Sequence, residues 1–470
     1  MENRQSASLV DVFERALEVI LARVSVLAPG RQGENRPLRT IGVACSGGLD
    51  SSALLHLAYR HAADHGIALY AFHVHHGISP NADSWLVHCE RECVRLGIRF
   101  DVRRISVATR KRDGVEQAAR ISRYAALGEM CRLHQVPLLL TAHHLDDQAE
   151  TVLLQMLRGS GIAGLSGMEN ANIAPELLGN PDLIMARPLL DVSRIELERF
   201  VAARKIAYVE DESNTDPRYA RNALRHNVLP SLDEYFPGFQ QRLARSAQHA
   251  QAAQRLLEEV AAQDMLVCSD GDCVLVKPLK QLSTDRIDNV LRYWFASRGM
   301  RMPTAAWLSE MREQIFGARD DARVCVTHSD CEVHRYRGRI FLVPRSDDVR
   351  LHASPQMFRW QGETHLHFPA YGGTLFFDAA QEGVDGDWLL TQDLMIRPRS
   401  GGEKLKLAPN RPTRSLKHHY QALDIPVWER TRLPVIMAAE QLLFAAGIGM
   451  NWRGLPCGGS RHVRLRWERD

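Results

Sequence analysis

The sequence predicts an α/β protein in three parts: an N-terminal domain built on a parallel sheet (residues 38–236), a helical middle domain (237–345) and a small α+β C-terminal region (346–470), preceded by an N-terminal extension (1–37). Three observations lead there. From residue 40 to residue 157 short β-type runs alternate with amphipathic helical stretches, the rhythm of a parallel sheet covered on both faces. Past Pro188 that rhythm gives way to longer helical pattern. The chain has 470 residues, 45% hydrophobic and 24% charged, enough for several cores and unlike collagen-like, disordered or disulfide-scaffold chains.

The elements follow in order. Residues 10–28 are apolar but interrupted by Asp11, Glu14, Arg15, Glu18 and Arg23, which makes an amphipathic helix rather than a secretion signal. No apolar run reaches the roughly 18 residues of a membrane span, so a cytoplasmic protein with no membrane contact is expected. After a polar linker (30–36), residues 40–45 form a strand that stops at Ser46-Gly47-Gly48, and from Ser51 a helix places Ala53, Leu54, Leu57 and Ala58 on one face. Strands at 67–74, 99–107 and 136–142 then alternate with helices at 84–96, 114–134 and 146–157. A helix at 193–205 leads to a loop rich in Asn and Asp (210–218), and residues 239–262 read as one long helix. More helical pattern occupies 284–297 and 304–316. From 321 to 377 the pattern turns β-like, and the tail mixes short strands with at least one helix.

Nine cysteines are scattered without a C-x-x-C pair, so neither a zinc ribbon nor a thioredoxin-like redox site is written here, and most are expected as buried thiols. Net charge is only +3 from 59 basic and 56 acidic residues. The local distribution says more: Arg397, Arg399, Lys404, Lys406, Arg411, Arg414 and Lys417 stand against the single acid Glu403, a footprint suited to phosphates, against which stands a merely solvated basic surface.

The segment Ser46-Gly47-Gly48-Leu49-Asp50-Ser51-Ser52 is informative because it joins a strand to a helix. The glycines allow a tight turn that aims N–H groups at an anion, the helix N-terminus adds partial positive charge, and Ser46 and Ser51 add hydroxyl donors. Asp50 makes sense beside a phosphate only if Mg²⁺ shares the site. An ordinary Gly turn with Asp50 or Ser51 as helix cap is the alternative. No Walker-type loop exists in the chain. Two other pattern matches are set aside: Gly159-Ser160-Gly161-Ile162-Ala163-Gly164 follows a helix, so it reads as a mobile loop. His88-Cys89-Glu90 lacks the second half of a deaminase signature and reads as surface helix.

A second cluster, Thr141-Ala142-His143-His144-Leu145-Asp146-Asp147-Gln148-Ala149-Glu150-Thr151, puts two histidines and three acids at the end of a strand and the start of a helix, with Asp147 and Glu150 on one helical face. The carboxyl end of a strand is where open α/β sheets bind ligands.

Ser-Gly-Gly-x-Asp-Ser resembles the loop of the PP-loop ATP pyrophosphatase superfamily, with its adenine nucleotide alpha hydrolase-like fold, whose members split ATP between the α and β phosphates. With the His-His-x-Asp-Asp-Gln-x-Glu-Thr run, residues 116–124, His73-Val74-His75-His76-Gly77, Asp211-Glu212-Ser213-Asn214, residues 219–225 and the tail around Ser415-Leu416-Lys417 and 425–430, the chain is similar to the tRNA(Ile)-lysidine synthetase family from about Leu38 onward. That family commonly has Asn where His75 stands and Arg where Ser79 stands.

The resemblance implies a ligase that adenylates the 2-carbonyl of a wobble cytidine in an isoleucine tRNA (CAU anticodon) with ATP and Mg²⁺, and then lets free L-lysine displace AMP, giving lysidine. It implies nucleotide binding by Ser46, Gly47, Gly48, Leu49, Asp50 and Ser51, with Asp50 toward the metal, and catalytic roles for Asp50, His144, Asp147 and Glu150. Asp147 and Glu150 would bind the lysine ammonium groups or take a proton, and Arg120 or Arg123 would meet its carboxylate. Asn214, Arg221, Asn222, Arg225, Arg411, Arg414 and Lys417 are the further candidates for lysine or tRNA contacts. A homodimer is left open. Two rivals remain: a tRNA 2-thiolation enzyme, disfavoured by the missing C-x-x-C pair, and a non-catalytic tRNA-binding protein, which has no need of the acidic cluster.

Overall fold

The computed structural model describes residues 8–27, 38–77, 79–105, 115–210, 220–319, 324–345, 353–454, 456 and 461–470. The linker at 30–36, most of the Asn/Asp-rich loop with Asn214, and Cys457 lie outside the described residues. The chain divides into two compact units, Met1–Val260 and Ala261–Asp470.

The first unit runs α1 (Leu9–Leu27), β1 (Thr40–Ala44), α2 (Leu49–His65), β2 (Ala68–His75), α3 (Ala82–Leu96), β3 (Arg99–Arg104), α4 (Val115–Leu133), β4 (Leu138–Leu140), α5 (Leu145–Leu157), α6 (Ile162–Leu165), β5 (Ala171–Ile173), α7 (Pro175–Leu178), β6 (Ile184–Ala186), α8 (Arg194–Arg204), α9 (Ala220–Ala223), a π-helical turn (Leu224–Val228) and α10 (Leu229–Tyr235). Its sheet has the order β3-β2-β1-β4-β6-β5. Every pairing is parallel except that of β5 with β6, so the expected parallel sheet carries one antiparallel edge strand.

Alternation along the strands builds two cores. Ile41, Val43, Leu138, Leu140, Ile184 and Ala186 face one side with α1, α2 and α8, whereas Phe72, Val74, Leu139 and Met185 face the other with α4 and α7. Helix α1 therefore belongs to this domain: Phe13, Leu17 and Ile20 are fully buried in its core, so residues 9–27 are not the separate extension read from the sequence. The Gly-rich stretch at 159–164 is likewise not all loop, since α6 takes its second half. In α3, Cys89 is buried rather than on the surface.

β1 lies beside β4, with Gly42 opposite Leu139 and Val43 opposite Leu140. On one side of this junction the chain moves out to β2 and β3, on the other to β6 and β5, so a crevice opens between the carboxyl ends of β1 and β4. The loops that leave those two ends carry the two motifs.

Helix α11 (Phe239–Cys268) spans 30 residues, longer than expected, and the division between units falls within it. The second unit continues with β7 (Ser269–Asp270), β8 (Cys273–Leu275), α12 (Val276–Leu279), α13 (Thr284–Ser297), α14 (Ala305–Gly317), β9 (Val324–Thr327), β10 (Cys331–Tyr336) and β11 (Arg339–Pro344). The helices expected here are present, and so is an antiparallel sheet of order β7-β8-β11-β10-β9. The rest forms a five-stranded sheet centred on Leu394–Pro398 and Pro434–Ala438 and a four-stranded sheet centred on Gly373–Ala380 and His462–Arg469, with short helices at Leu416–Ala422 and Val427–Arg430. No helix among the described residues is long and apolar enough to cross a membrane.

Candidate active site

The loop after β1 is folded around its serines. The Ser46 and Ser51 hydroxyls lie 3.0 Å apart, Ser51 Oγ donates to the Gly48 carbonyl at 3.0 Å, and Ser52 Oγ donates to the Gly47 carbonyl at 3.3 Å. Gly47 has φ +86, and a Cβ there would come within 2.9 Å of Cys89 Sγ and 3.2 Å of Val209 Cγ2. Only glycine meets both demands. Gly48 caps α2 without any side-chain hydrogen bond, so the first-turn N–H groups of that helix keep their capacity to bind an anion.

This loop borders a cavity of about 1000 Å³, with Ser46, Gly48, Leu49, Asp50 and Ser51 on one side and His73, Arg123, Tyr124, His143, Asp147, Arg194 and Arg225 around it. A smaller cavity of about 200 Å³ is lined by His144, Asp146, Glu150, Arg194, Arg225 and Asp233.

His144 stands between the two. It is buried, with Nε2 3.6 Å from Asp50 Oδ2 and 3.4 Å from Asp147 Oδ2, and Nδ1 3.5 Å from Asp146 Oδ2. Burial alone favours the neutral ring, but these carboxylates win and hold its pKa up to about 10, so it is an imidazolium at neutral pH. Asp50 shows the converse: burial pushes its carboxyl up, yet His144, Arg194 and Arg225 bring it below the usual range. Asp50 Oδ1 is buried without a hydrogen-bond partner. Asp146 Oδ2 also accepts from the Arg194 backbone N–H at 2.9 Å, tying α5 to the start of α8.

His143 differs from its neighbour. Burial and the positive charge of Arg187, Arg221, Arg120 and Arg123 pull its pKa well below the ordinary value, so it is neutral. Thr141 Oγ1 lies 3.0 Å from His143 Nδ1 and 3.3 Å from the Ala186 carbonyl, so this hydroxyl ties the ring to the end of the sheet. His73 is neutral for a similar reason, burial, with Nδ1 2.8 Å from the Cys45 carbonyl.

Asp147 and Glu150 share one face of α5 as their spacing predicts, but both are already engaged. Arg221 Nε donates to Glu150 Oε2 at 2.7 Å and its Nη2 to Asp147 Oδ1 at 3.0 Å, while Arg225 Nε donates to Glu150 Oε1 at 2.6 Å. Glu150 is 1% exposed and both of its oxygens accept from arginine, so it anchors Arg221 and Arg225. Arg225 sits on the π-helical turn, a distortion frequent at functional sites.

Arg120 and Arg123 lie over the Tyr124 ring at 5.1 and 5.4 Å, and of the two Arg123 lines the larger cavity. Asn222 is on α9. Arg411, Arg414 and Lys417 are exposed residues of the second unit. Sequence reasoning gave no role to Arg194, which no motif marks, and none individually to His143 or His73, whose charge states depend on burial.

Family models place the chain. A PP-loop domain matches residues 22–232, a TilS substrate binding domain residues 275–341 and a TilS substrate C-terminal domain residues 394–467. A tRNA(Ile)-lysidine synthase from Ralstonia nicotianae is 41% identical over 443 residues, covering 90% of this chain and 92% of the relative. The chain belongs to the tRNA(Ile)-lysidine synthase family. The synthase from Coxiella burnetii is 34% identical over 405 residues, covering 86% of this chain and 88% of its own length. A solved TilS C-terminal domain is 21% identical over 25% of this chain and 98% of its own, with a TM-score of 0.21, too low to carry an argument. The synthase family's PP-loop match begins at residue 22, inside α1.

Proposed function

We propose that this chain makes lysidine in an isoleucine tRNA with a CAU anticodon, as an ATP-dependent ligase that uses free L-lysine. The observation that carries the reading is that the Ser-Gly-Gly loop shares the larger cavity with His143 and Asp147 and meets His144 through Asp50, in a chain of the lysidine synthase family. The thiolation alternative is not favoured, because relatives matching about nine-tenths of the chain are lysidine synthases.

Cytosine O2 is a weak nucleophile and its carbon a poor electrophile, so two displacements are needed. In the first, O2 attacks the α-phosphorus of ATP and pyrophosphate leaves; the Ser46 and Ser51 hydroxyls and the open N–H groups of α2 hold the phosphates. Asp50, with its unpartnered Oδ1 at the loop, suits a hard cation, so Mg²⁺ fits here and would neutralise phosphate charge when bound. The His144 imidazolium keeps Asp50, Asp146 and Asp147 in place despite their mutual repulsion.

In the second step a lysine amine attacks the activated C2 and AMP departs. Arg123 suits the lysine carboxylate and Asp147 an ammonium, while the neutral ring of His143 takes the proton that the attacking ammonium must lose. Arg221 and Arg225, fixed by Glu150, supply positive charge beside the reacting phosphate.

Pyrophosphate release measured with tRNA, ATP and lysine, each omitted in turn, tests this. Release should need tRNA and ATP but not lysine, and Asp50→Ala should abolish it while tRNA binding stays near normal. Wild-type release from Asp50→Ala removes the assigned role of the loop; release without tRNA removes the reaction.

A further inference from the structure

Away from the cavity, β9 and β10 bring a thiol, an imidazole and a carboxylate together. Cys325 pairs across the antiparallel ladder with His334, and Glu332 lies two residues from His334 on the same strand, so all three project from one face. The opposite face is the buried one, carrying Val326, Cys331, Val333 and Arg335. Cys325 Sγ is 3.8 Å from His334 Nε2, and His334 Nε2 is 2.9 Å from Glu332 Oε2. We propose that Cys325, Glu332 and His334 form a site for a borderline-soft divalent cation of the zinc type, with a fourth position open to solvent.

Size supports it. With zinc bonds of about 2.3 Å to sulfur and about 2.0–2.1 Å to nitrogen and oxygen, a tetrahedral site needs N···S near about 3.6 Å and N···O near about 3.4 Å. The observed 3.8 and 2.9 Å reach those values with shifts of a few tenths of an ångström. The mixed ligand set is one that zinc accepts and that magnesium and calcium do not.

Two further features single the cluster out. Among the eight described cysteines Cys325 alone is exposed; the other seven are buried. The His334 ring is stacked at 4.3 Å on Trp428, which holds it in the orientation a ligand requires. When a cation binds, the Cys325 thiol proton leaves to solvent as the sulfur–metal bond forms. A second cluster, Glu14, His61 and His65, contains no sulfur, so the two are separable by spectroscopy.

The full-length reduced protein is titrated with Co²⁺, which reports thiolate ligation by a near-ultraviolet charge-transfer band, followed by displacement with Zn²⁺. The expected result is one equivalent of cobalt with that band, lost in Cys325→Ser, and an affinity weakened about tenfold or more in His334→Gln and in Glu332→Gln. Pyrophosphate release by the zinc-free Cys325→Ser protein should match wild type, which shows that the variant is folded. Absence of the band in wild type, or its persistence in Cys325→Ser, overturns the proposal whatever the fate of the lysidine reading.

Discussion

His144 lies within 3.6 Å of carboxylate oxygens from Asp50, Asp146 and Asp147, and its pKa of about 10 is a statement about stability as well as charge. Because that value is above the ordinary 6.5, the stabilisation is complete below about pH 6.5 and is lost as pH rises toward 10. Replacing His144 with Gln leaves three carboxylates facing one another and should cost about 3–5 kcal/mol near pH 6. Urea unfolding of both proteins near pH 6 and near pH 9.5 checks this: the gap should narrow at the higher pH, and a constant gap would mean that the ring is neutral. The motif around His144 was legible in the sequence as a polar cluster. Its division of labour was not, because opposite charge states of adjacent histidines arise from burial and from distant partners. Glu150 makes the same point: its spacing from Asp147 was readable, but the two arginines that occupy it lie 71 and 75 residues away.

At the scale of elements, α1 was readable as an amphipathic helix while its place in the core was not, since an apolar stripe says that a face is buried but not against what. Phe13, Leu17 and Ile20 form that stripe at 0% exposure. Phe13→Ala should therefore cost about 3–5 kcal/mol and lower the urea midpoint of the first unit; a loss under about 1 kcal/mol would make α1 an appendage after all. The parallel strands β1 to β4 were readable as short β-type runs bounded by turns, whereas β6, which pairs parallel with β4, gave no such signal in its three residues. The antiparallel β5 and the pair β7 and β8 were missed because strands of three residues or fewer show no period. The π-helical turn that carries Arg225 has no sequence signature at all.

For the whole molecule the open question is how a long RNA is held while chemistry occurs on one base. The basic segment noted in the sequence is less uniform in the structure. Arg397 is paired with Glu403 at 3.1 Å, and Arg399 lies over the Tyr420 ring at 5.8 Å, so these two serve the fold of the second unit. Arg411, Arg414 and Lys417 remain exposed, two of them on or beside the short strand Arg414–Ser415 and the helix that follows it. Contacts of such side chains to phosphates position an RNA without reading its sequence, and each neutralised phosphate contributes about 0.7–0.9 to the slope of log affinity against log salt. Neutralising Arg411, Arg414 and Lys417 together should thus weaken tRNA binding and flatten the salt slope by about 2–3. Affinities for ATP and lysine should stay unchanged, because the Ser-Gly-Gly loop, Arg123 and Asp147, proposed to hold them, belong to the first unit. A salt titration of tRNA affinity for wild type and the triple variant decides between a phosphate-binding surface and a merely solvated one: superimposable lines would assign these residues to solubility, and a parallel offset without a change of slope would assign them to folding of the second unit rather than to RNA contact.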